Sequence, residues 1–415
     1  PPHFFFNDTA TTEIYTDVAN RLLEAGMAYH CYCTQEELEQ RREAARSAGR
    51  PSGYDGHCRE LTEAQVQDFR AEGRQPVLRF RMPGTGIGFA DLVRGEMAVD
   101  AENVFDYVLV RANGRPLYPF VNPVDDALMR ITHVLRGEDL LSSTPRQVPL
   151  HEALRAVGVT DAPMPRFGHL PEVMGEGNRK LSKRDPESFL QQYRDRGFLP
   201  EGLLNYLALL GWSIGENREI FSMEEMAAAF DVTRVNPNPA RFDVKKAEAI
   251  NGVWLRRLDT EDLAARIVPY LQRAGVLADE PTPDQLHLVR AAAPLVQERM
   301  VTLGESVGML SFLFVDEVEM DEAAVAKVLT PESRPALEAA RSTLGKTEPW
   351  AADGIEQALR EALVDGLGLK PRHAFGPVRV AVSGRQVSPP LFESLELLGR
   401  DRTLARLDAA IERVT

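Results

Sequence analysis

The sequence has few cysteines, no long apolar run and no excess of positive charge. Three cysteines among 415 residues are too few for a disulfide framework and favour a reducing compartment, so a cytoplasmic location is expected. No apolar run approaches the roughly 20 residues that span a bilayer, so no membrane partner is expected. The net charge of −14 argues against a protein that coats nucleic acids without selectivity, although a local basic face remains compatible with RNA binding.

The length and the apolar content predict several packed cores. Apolar residues make up 44% of the chain and charged residues 27%, and a chain of this length forms roughly two to four domains. In residues 258–415, apolar side chains recur at spacings of three and four, which predicts amphipathic helices. Residues 281–283 and 347–349 are predicted joints, and residues 378–383 are a short apolar exception.

A basic segment, Lys180-Leu181-Ser182-Lys183-Arg184, follows a turn-rich stretch at residues 174–179. Two lysines on such a loop can close over an anion, and a Lys ammonium suits phosphate oxygens. Such charge stabilises the negative charge that develops in a transition state, as in attack on the α-phosphate of ATP. Taken alone, a segment of this kind is more often a solvated basic loop.

A second motif lies upstream of this lysine segment. Its residues are Tyr118, Asn122, Asp125, Asp126, Thr132, His133, Val134, Arg136, Gly137, Glu138, Asp139, Ser143 and Thr144. In order and spacing, this motif and the lysine segment resemble the bacterial glutamyl-tRNA synthetases, which are class I enzymes. The resemblance runs from about Ile14 to the C-terminus.

The resemblance implies a fold and a reaction. The fold is an α/β nucleotide-binding fold of the class I, Rossmann-like type, incomplete at its N-terminus, with an inserted acceptor-binding domain and an all-α C-terminal anticodon-binding half. The reaction is the ATP-dependent attachment of L-glutamate to the 3′ end of tRNA(Glu) through a glutamyl-adenylate. The expected partners are L-glutamate, ATP with Mg2+, and tRNA(Glu), and a monomer is expected.

The resemblance also divides the chain. Residues 14–30 and 116–185 form the expected catalytic domain, 31–115 the inserted acceptor-stem domain, 186–257 a stem-contact domain and 258–415 the helical anticodon-binding part. Residues 1–12 have no helical or alternating period, resemble translated sequencing adapter, and do not contain the His-x-Gly-His signature of the family. Residues 1–13 are therefore expected to be a foreign leader on a truncated chain.

By resemblance, Tyr118, Asn122 and Arg136 line the glutamate pocket. A guanidinium pairs with a carboxylate through two parallel hydrogen bonds. It would reject glutamine, because a neutral amide leaves the buried charge unpaired. The alternative for Arg136 is a structural ion pair with Glu138 or Asp139.

The ATP site is expected to contain the whole lysine segment. Lys183 is expected to contact the α-phosphate as the main catalytic residue, with Lys180 and Arg184 assisting it. By resemblance, His169 and Leu170 lie against the adenine, and packing beneath the lysine loop is an equal alternative for both.

Three cysteines could form a metal site. Cys31, Cys33 and Cys58 supply three sulfur ligands, and Tyr54 or Glu60 would supply the fourth ligand of a tetrahedral Zn2+ site. Some members of the family carry zinc on a Cys-x-Cys…Cys-x-His arrangement, and here Glu60 stands in place of the His. The alternative is that all three are buried or free thiols, and the sequence leaves the two open.

Local patterns predict several elements. Residues 117–121 and 131–135 are expected in or near the parallel sheet, and residues 77–82 and 104–111 are expected to be strands. The third glycine of residues 84–88 (GTGIG) comes one position too early for a dinucleotide fingerprint, so a hairpin turn is expected there. Helices are expected to begin after Thr34 and at Thr144, and a third to end at Gly211.

Three rival functions remain. A chain without the N-terminal signature could bind tRNA and be catalytically inactive. A glutaminyl-tRNA synthetase is disfavoured, because those relatives carry β-barrels where this chain has helical periodicity. A zinc-dependent binding module would use the three cysteines alone.

Overall fold

A computed structural model describes residues 9–175, 179–182 and 184–414 of the chain. These residues form two compact units. The first contains the chain up to Met174 together with residues 211–213 and 229–241, and the second contains residues 175–210, 214–228 and 242 onwards. The five-part division expected from the sequence is finer than this, and its boundaries remain predictions.

A three-stranded antiparallel sheet belongs to the first unit. Its order is β1-β2-β5, with β1 at Ala28–Cys31, β2 at Val77–Phe80 and β5 at Val108–Val110. The strand predicted at 77–82 is confirmed. The strand predicted at 104–111 is shorter than expected, because β5 contains only Val108–Val110.

A four-stranded sheet in the same unit has the order β4-β3-β7-β6. Its strands are β3 (Ile87–Asp91), β4 (Gly95–Val99), β6 (His133–Gly137) and β7 (Arg166–Leu170). Strand β7 runs parallel to both β3 and β6, and β3 and β4 form an antiparallel hairpin. The parallel strand predicted at 131–135 therefore exists as β6. The sheet also joins β3, from the predicted insert, to strands of the predicted catalytic domain.

The glycine-rich residues 84–88 are not the hairpin turn that the sequence suggested. Ile87 and Gly88 already pair with Val99 and Ala98, so the turn lies at residues 92–94 instead. Gly84 has a φ of +75° and starts the bend that leads into β3. The rejection of a dinucleotide fingerprint holds, since residues 89–91 continue a strand.

Five helices of the first unit surround these sheets. They are α1 (Thr9–Glu24), α2 (Gln35–Ser47), α3 (Glu63–Ala71), α4 (Tyr118–Leu128) and α5 (Thr144–Ala156). The expected start of α2 is confirmed by the Thr34 capping box, and that of α5 by Pro145 in its first turn. Residues 9–12 were expected to have no helical period and are instead part of α1.

Residues 117–121 were expected in or near the parallel sheet, but they are not a strand. Leu117 is the N-cap of α4, and residues 118–121, which include Pro119, form the first turn of that helix. A proline in the first turn of a helix has the φ that the helix requires and removes an N–H that would have no partner there. Phe120, Val121, Val124 and Ala127 are buried on one face of α4. That face packs into the core of the unit with side chains of α1, α5 and β7.

Short strands and helices complete the chain. Strands β8 (Val173–Met174) and β9 (Ala240–Arg241) pair in parallel. The remaining helices are α6 (Leu190–Arg196), α7 (Pro200–Ala208), α8 (Met223–Ala229), α9 (Val244–Leu255), α10 (Thr260–Arg273), α11 (Pro283–Gln297), α12 (Glu305–Leu310), α13 (Glu322–Val328), α14 (Arg334–Leu344), α15 (Ala352–Leu359), α16 (Pro371–Ser383), α17 (Leu391–Leu398) and α18 (Arg400–Arg413). Gly211 follows α7 with a φ of +118°, as expected for a helix end.

Every regular element that the structure describes after Arg241 is helical, which confirms the all-α C-terminal half. The predicted joint at 347–349 falls between helices, and the joint at 281–283 ends on the first residue of α11. The apolar run at 378–383 is the buried last part of α16 and not an exception to the helical pattern. None of the described helices is both long and apolar enough to cross a membrane.

Helices α7 and α9 pack closely because a glycine faces an asparagine. Asn251 in α9 is completely buried, accepts the backbone N–H of Leu199 at 2.8 Å and donates to the carbonyl of Val301 at 2.6 Å. A methyl group on Gly202 in α7 would lie 2.5 Å from Asn251 Oδ1 and 2.9 Å from its Cα. The amide of Asn251 therefore joins three segments only while position 202 has no side chain.

We expect Gly202→Ala to destabilise the second unit by about 1–3 kcal/mol, since the clash involves backbone as well as a side chain. Gly376→Ala is the matched control, because the nearest atom to its added methyl, in Val328, lies 3.7 Å away. Alanine at that helical position should be neutral or stabilising by up to about 1 kcal/mol. Thermal unfolding followed by circular dichroism measures both. Equal midpoints for the two variants would contradict the packing argument.

Candidate active site

The side chain of Arg136 is held by three residues at the carboxyl end of the parallel strands. Its Nε donates to His169 Nε2 at 3.1 Å, and its Nη2 donates to Thr144 Oγ1 at 2.9 Å and to Gln147 Oε1 at 2.7 Å. Its Nη1 is buried and has no hydrogen-bond partner among the residues that the structure describes. Ligands of α/β folds bind at this edge of the sheet. The guanidinium is thus fixed in place with one donor group unused.

Neighbouring carboxylates offset only part of the effect that burial has on the pKa of Arg136. Burial lowers its pKa, and this is opposed by the nearby Tyr118, Asp126 and Asp139. Glu138, one of the two alternative ion-pair partners, instead pairs with Arg94 and accepts the backbone N–H of Glu172 at 2.9 Å. The structural ion pair between Arg136 and Glu138 is therefore not formed.

The other two residues expected in the glutamate pocket lie beside Arg136. Tyr118 and Asn122 are one turn apart in α4, so they share a face of that helix. Gln147 of α5 contacts both α4 and Arg136. Its Nε2 donates to Asn122 Oδ1 in α4 at 3.3 Å, and its Oε1 accepts from Arg136. Tyr118 is half-exposed, at 46% of its surface. The structure thus brings together all three residues that the sequence suggested.

His169 is completely buried beside Arg136. Its Nδ1 lies 2.6 Å from Asp91 Oδ2, and its Nε2 contacts both Arg136 and Thr144. With both ring nitrogens bonded and no exposed surface, the ring has no face for an adenine, so the expected adenine contact of His169 is not supported. Leu170 is partly exposed at the end of β7, and its adenine contact stays a prediction.

The lysine segment is organised by an aspartate. Asp185 is buried, accepts the backbone N–H of Ser182 at 2.7 Å and pairs with Arg179 at 2.6 Å. The hydrogen bond from Ser182 is the largest of the effects that lower its pKa. Lys180 and Arg184, which flank Ser182 in the sequence, are both exposed. Lys183, the main expected catalytic residue, lies outside the described residues.

The three cysteines form a compact cluster. The Sγ atoms of Cys31, Cys33 and Cys58 all lie within 4.8 Å of one another, and those of Cys33 and Cys58 are 3.5 Å apart. Hydrogen bonds from Cys33, then from Cys58, lower the pKa of the Cys31 thiol, so one thiolate is favoured. The Tyr54 hydroxyl oxygen is 3.5 Å from Cys31 Sγ and accepts the backbone N–H of Cys58 at 2.8 Å.

Glu60 does not lie in this cluster. Its side chain is 83% exposed and pairs with Arg81 at 2.6 Å. Of the two candidate fourth ligands, only Tyr54 has its oxygen against the sulfur atoms. Glu60 is therefore corrected from a candidate ligand to a surface ion-pair partner.

Sequence reasoning assigned no site role to four residues that shape the site: Asp91, Thr144 and Gln147 around Arg136, and Asp185 beneath the lysine segment. Two of them had a readable signal. Thr144 and Gln147 are spaced by three on a helix whose side chains are largely buried, and buried polar groups require partners. Asp91 had no such signal, because the side chain that it contacts in the site, His169, is 78 residues away in sequence.

Comparison with known protein families places these residues in context. Residues 3–249 match the family described as tRNA synthetases class I (E and Q), catalytic domain, and residues 262–411 match an anticodon binding domain. The first match begins inside the segment expected to be a foreign leader. Together the two matches cover most of both described units.

Individual relatives agree with the family matches. The chain is 60% identical over 409 residues to a glutamate–tRNA ligase of Saccharopolyspora erythraea, covering 98% of this chain and 80% of that protein. It is 56% identical over 412 residues to a glutamate–tRNA ligase of a Nocardioides species, covering 99% and 83%. Among solved structures, a glutamate tRNA ligase from Elizabethkingia meningosepticum, in complex with its amino acid, matches with a TM-score of 0.81 at 29% identity over 98% of this chain and 84% of that one. The chain belongs to the class I tRNA synthetases of the glutamate and glutamine group, among the glutamate–tRNA ligases.

Proposed function

We propose that this chain binds L-glutamate through Arg136, Tyr118 and Asn122 and joins it, with ATP, to the 3′ end of tRNA(Glu). The observation that carries the residue assignment is the buried Nη1 of Arg136, which has no partner among the described residues. A buried donor without a partner costs about 1–3 kcal/mol, and more when it is charged. A carboxylate that binds there removes this cost.

The pocket suits a side-chain carboxylate better than an amide. The hydrogen-bond partners of Arg136 are a ring nitrogen, a hydroxyl, an amide oxygen and, at 3.5 Å, the backbone carbonyl of Leu140. None of them neutralises the guanidinium, so its positive charge is available to a ligand. Glutamate supplies a negative charge that pairs with it, whereas glutamine brings an amide whose N–H groups would face other donors.

The reaction follows from two displacement steps. An oxygen of the glutamate α-carboxylate attacks the α-phosphorus of Mg2+-bound ATP, forming a P–O bond as the bond to pyrophosphate breaks. A hydroxyl of the terminal tRNA adenosine then attacks the activated carbonyl carbon, and AMP leaves. The enzyme acts by positioning and by charge, so no covalent intermediate with the protein is required.

Within this proposal, the lysine segment binds the ATP phosphates. Asp185 holds the backbone at Ser182 and the side chain of Arg179, so it restrains the chain around the segment without using the lysines. Lys183 contacts the α-phosphate, and Lys180 and Arg184 assist it. Leu170 lies against the adenine.

Replacing Arg136 tests the glutamate assignment. We expect Arg136→Gln to weaken L-glutamate binding at least ~30-fold, because losing one partner of a buried charge pair costs about 2–5 kcal/mol. Steady-state aminoacylation of tRNA(Glu) with varied glutamate measures this, beside filter binding of the same tRNA. Arg130→Gln is the control, since Arg130 is exposed and paired with Asp161.

Unchanged glutamate dependence in Arg136→Gln would remove this residue from the pocket. Binding of tRNA without charging by the unaltered chain would favour the rival function of a tRNA-binding protein without catalysis. Charging with glutamine in place of glutamate would favour the glutaminyl alternative.

Replacing Lys183 tests the ATP assignment. We expect Lys183→Ala to abolish adenylate formation, because the charge that opposes the developing negative charge on the α-phosphate is lost. Binding of tRNA should stay within a few-fold of the unaltered chain. Pyrophosphate exchange in the presence of tRNA measures the first property, and filter binding the second. Lys346→Ala is the control, because it removes a lysine from an exposed site and should leave pyrophosphate exchange intact. Equal loss of exchange and of tRNA binding in Lys183→Ala would refute the role of Lys183 at the α-phosphate.

We also propose that Cys31, Cys33 and Cys58 hold Zn2+ with Tyr54 as the fourth ligand. Two sulfurs on one tetrahedral zinc lie about 3.8 Å apart, given Zn–S bonds of about 2.3 Å. The observed sulfur separations, 3.5 Å for one pair and within 4.8 Å for all, fit this arrangement. A site closed by four protein ligands is structural, so the metal would stabilise the fold around β1 and take no part in the chemistry.

Metal content distinguishes the two candidate fourth ligands. We expect about one zinc per chain by elemental analysis, and its loss in Cys58→Ser. Tyr54→Phe should lose zinc to a chelator faster than the unaltered protein, because the phenol oxygen is removed. Glu60→Gln is the matched control and should retain zinc, since Glu60 pairs with Arg81. Zinc loss in Glu60→Gln but not in Tyr54→Phe would reverse the assignment.

A monomeric state and a cytoplasmic location complete the proposal. Cys31, Cys33 and Cys58 form no disulfide, which agrees with a reducing compartment whether or not they hold a metal.

A further inference from the structure

Three charged or polar side chains lie in a row across the carboxyl ends of neighbouring parallel strands. Asp91 ends β3, His169 lies near the end of β7, and Arg136 lies near the end of β6. Arg136 and His169 are direct register partners. The side chains of Asp91 and His169 have no exposed surface. A buried carboxylate therefore reaches the guanidinium only through the imidazole between them.

The hydrogen bonds fix the tautomer of His169. An arginine can only donate, so the contact of 3.1 Å from Arg136 Nε requires that His169 Nε2 accept. The remaining proton is then on Nδ1 and is donated to Asp91 Oδ2 at 2.6 Å. Burial lowers the pKa of His169 despite the opposing effect of Asp91, which agrees with a neutral ring.

Asp91 is held in one orientation by the backbone. Its Oδ1 accepts the N–H groups of Val93 at 3.0 Å, Arg94 at 2.9 Å and His169 at 3.2 Å. Its Oδ2 is left for the imidazole. The carboxylate therefore cannot turn away from the imidazole without losing these three hydrogen bonds.

We propose that Asp91 and His169 are positioning residues that aim the Arg136 guanidinium at the side-chain carboxylate of glutamate. This rests on the proposed function. A carboxylate in direct contact with Arg136 would orient it equally well but would neutralise the charge that the ligand needs. The neutral imidazole lets Arg136 be oriented without being neutralised. Asp91 orients the ring, and the ring orients Arg136 Nε without cancelling the charge of the guanidinium. Nη1 is then left buried, with no hydrogen-bond partner among the described residues.

The substitution Asp91→Asn tests whether Asp91 orients Arg136 by fixing the tautomer of His169. The asparagine oxygen must replace Oδ1 toward the three backbone N–H groups, so its NH2 must face His169 Nδ1. The ring is then forced to accept at Nδ1 and to carry its proton on Nε2, where it meets the donor Nε of Arg136. We expect glutamate affinity to fall about 10- to 100-fold, by analogy with the loss of a partner that orients a metal-binding histidine, with ATP affinity within about threefold.

Two substitutions of His169 form a matched pair. Glutamine can place an amide oxygen where Nε2 accepts from Arg136, and it loses the bond to Asp91. Asparagine can place an amide N–H where Nδ1 donates to Asp91, and it loses the acceptor for Arg136. We expect His169→Gln to keep glutamate affinity within about fivefold, and His169→Asn to lose at least tenfold, whichever of the two variants is the more stable.

Three measurements on the full chain test whether Asp91 and His169 position Arg136. Histidine ring 15N spectra, with the His169 signal identified by its absence in His169→Gln, should show Nδ1–H in the unaltered protein and Nε2–H in Asp91→Asn. Glutamate affinity comes from the aminoacylation KM and from equilibrium binding, and thermal unfolding reports stability.

Each outcome decides for or against the positioning of Arg136 by Asp91 through His169. Equal affinity losses in His169→Gln and His169→Asn, or losses that follow stability alone, would overturn it. A tautomer change in Asp91→Asn without loss of affinity would also overturn it. If Arg136→Gln itself leaves glutamate affinity unchanged, the proposed function fails first, and the 15N spectra still report whether the tautomer assignment is right. If Asp91→Asn does not fold, the two His169 variants still separate positioning from stability.

Discussion

A guanidinium withdrawn from water, with uncharged groups as its direct partners, is the constraint on which the candidate site depends. Burial of an arginine is unfavourable unless its donors are bonded, and Arg136 satisfies most of them with His169, Thr144 and Gln147. Because none of these partners is an anion, the positive charge stays available. The four-stranded sheet, helix α4 and helix α5 each contribute one side of this environment. The pocket is thus a consequence of how three neighbouring elements meet and not of one motif alone.

The sequence was informative where function depends on short spacings. Tyr118 and Asn122 are one helical turn apart and were expected to act together, although residues 117–121 were assigned to the region of the sheet. Arg136 was expected in the pocket by resemblance, and its geometry beside Asn122 and Gln147 supports that proposal. Such residues can be found without knowing the fold, because a motif preserves their order even when the predicted element type is wrong.

The partners of Arg136 depended on strand order, which the sequence does not reveal. Asp91 was not among the expected site residues, since nothing in residues 84–95 indicates that β3 lies beside β7. The run at 378–383 was misjudged for a related reason. A helix that is buried on all sides loses its three- and four-residue period and resembles a strand. In both places the tertiary environment, and not the local pattern, decided the outcome.

Helix α5 shows how a buried polar stripe could be recognised earlier. Thr144, Gln147 and His151 follow one another at spacings of three and four, and all three are at least 95% buried. Burial lowers the pKa of His151 to about 4, so this histidine is uncharged at neutral pH. Polar groups on the inward face of a helix must find partners, and two of these three find Arg136. A polar stripe that continues into an apolar core therefore marks the place where a charged side chain from another element is held, even when that element cannot be identified from the sequence.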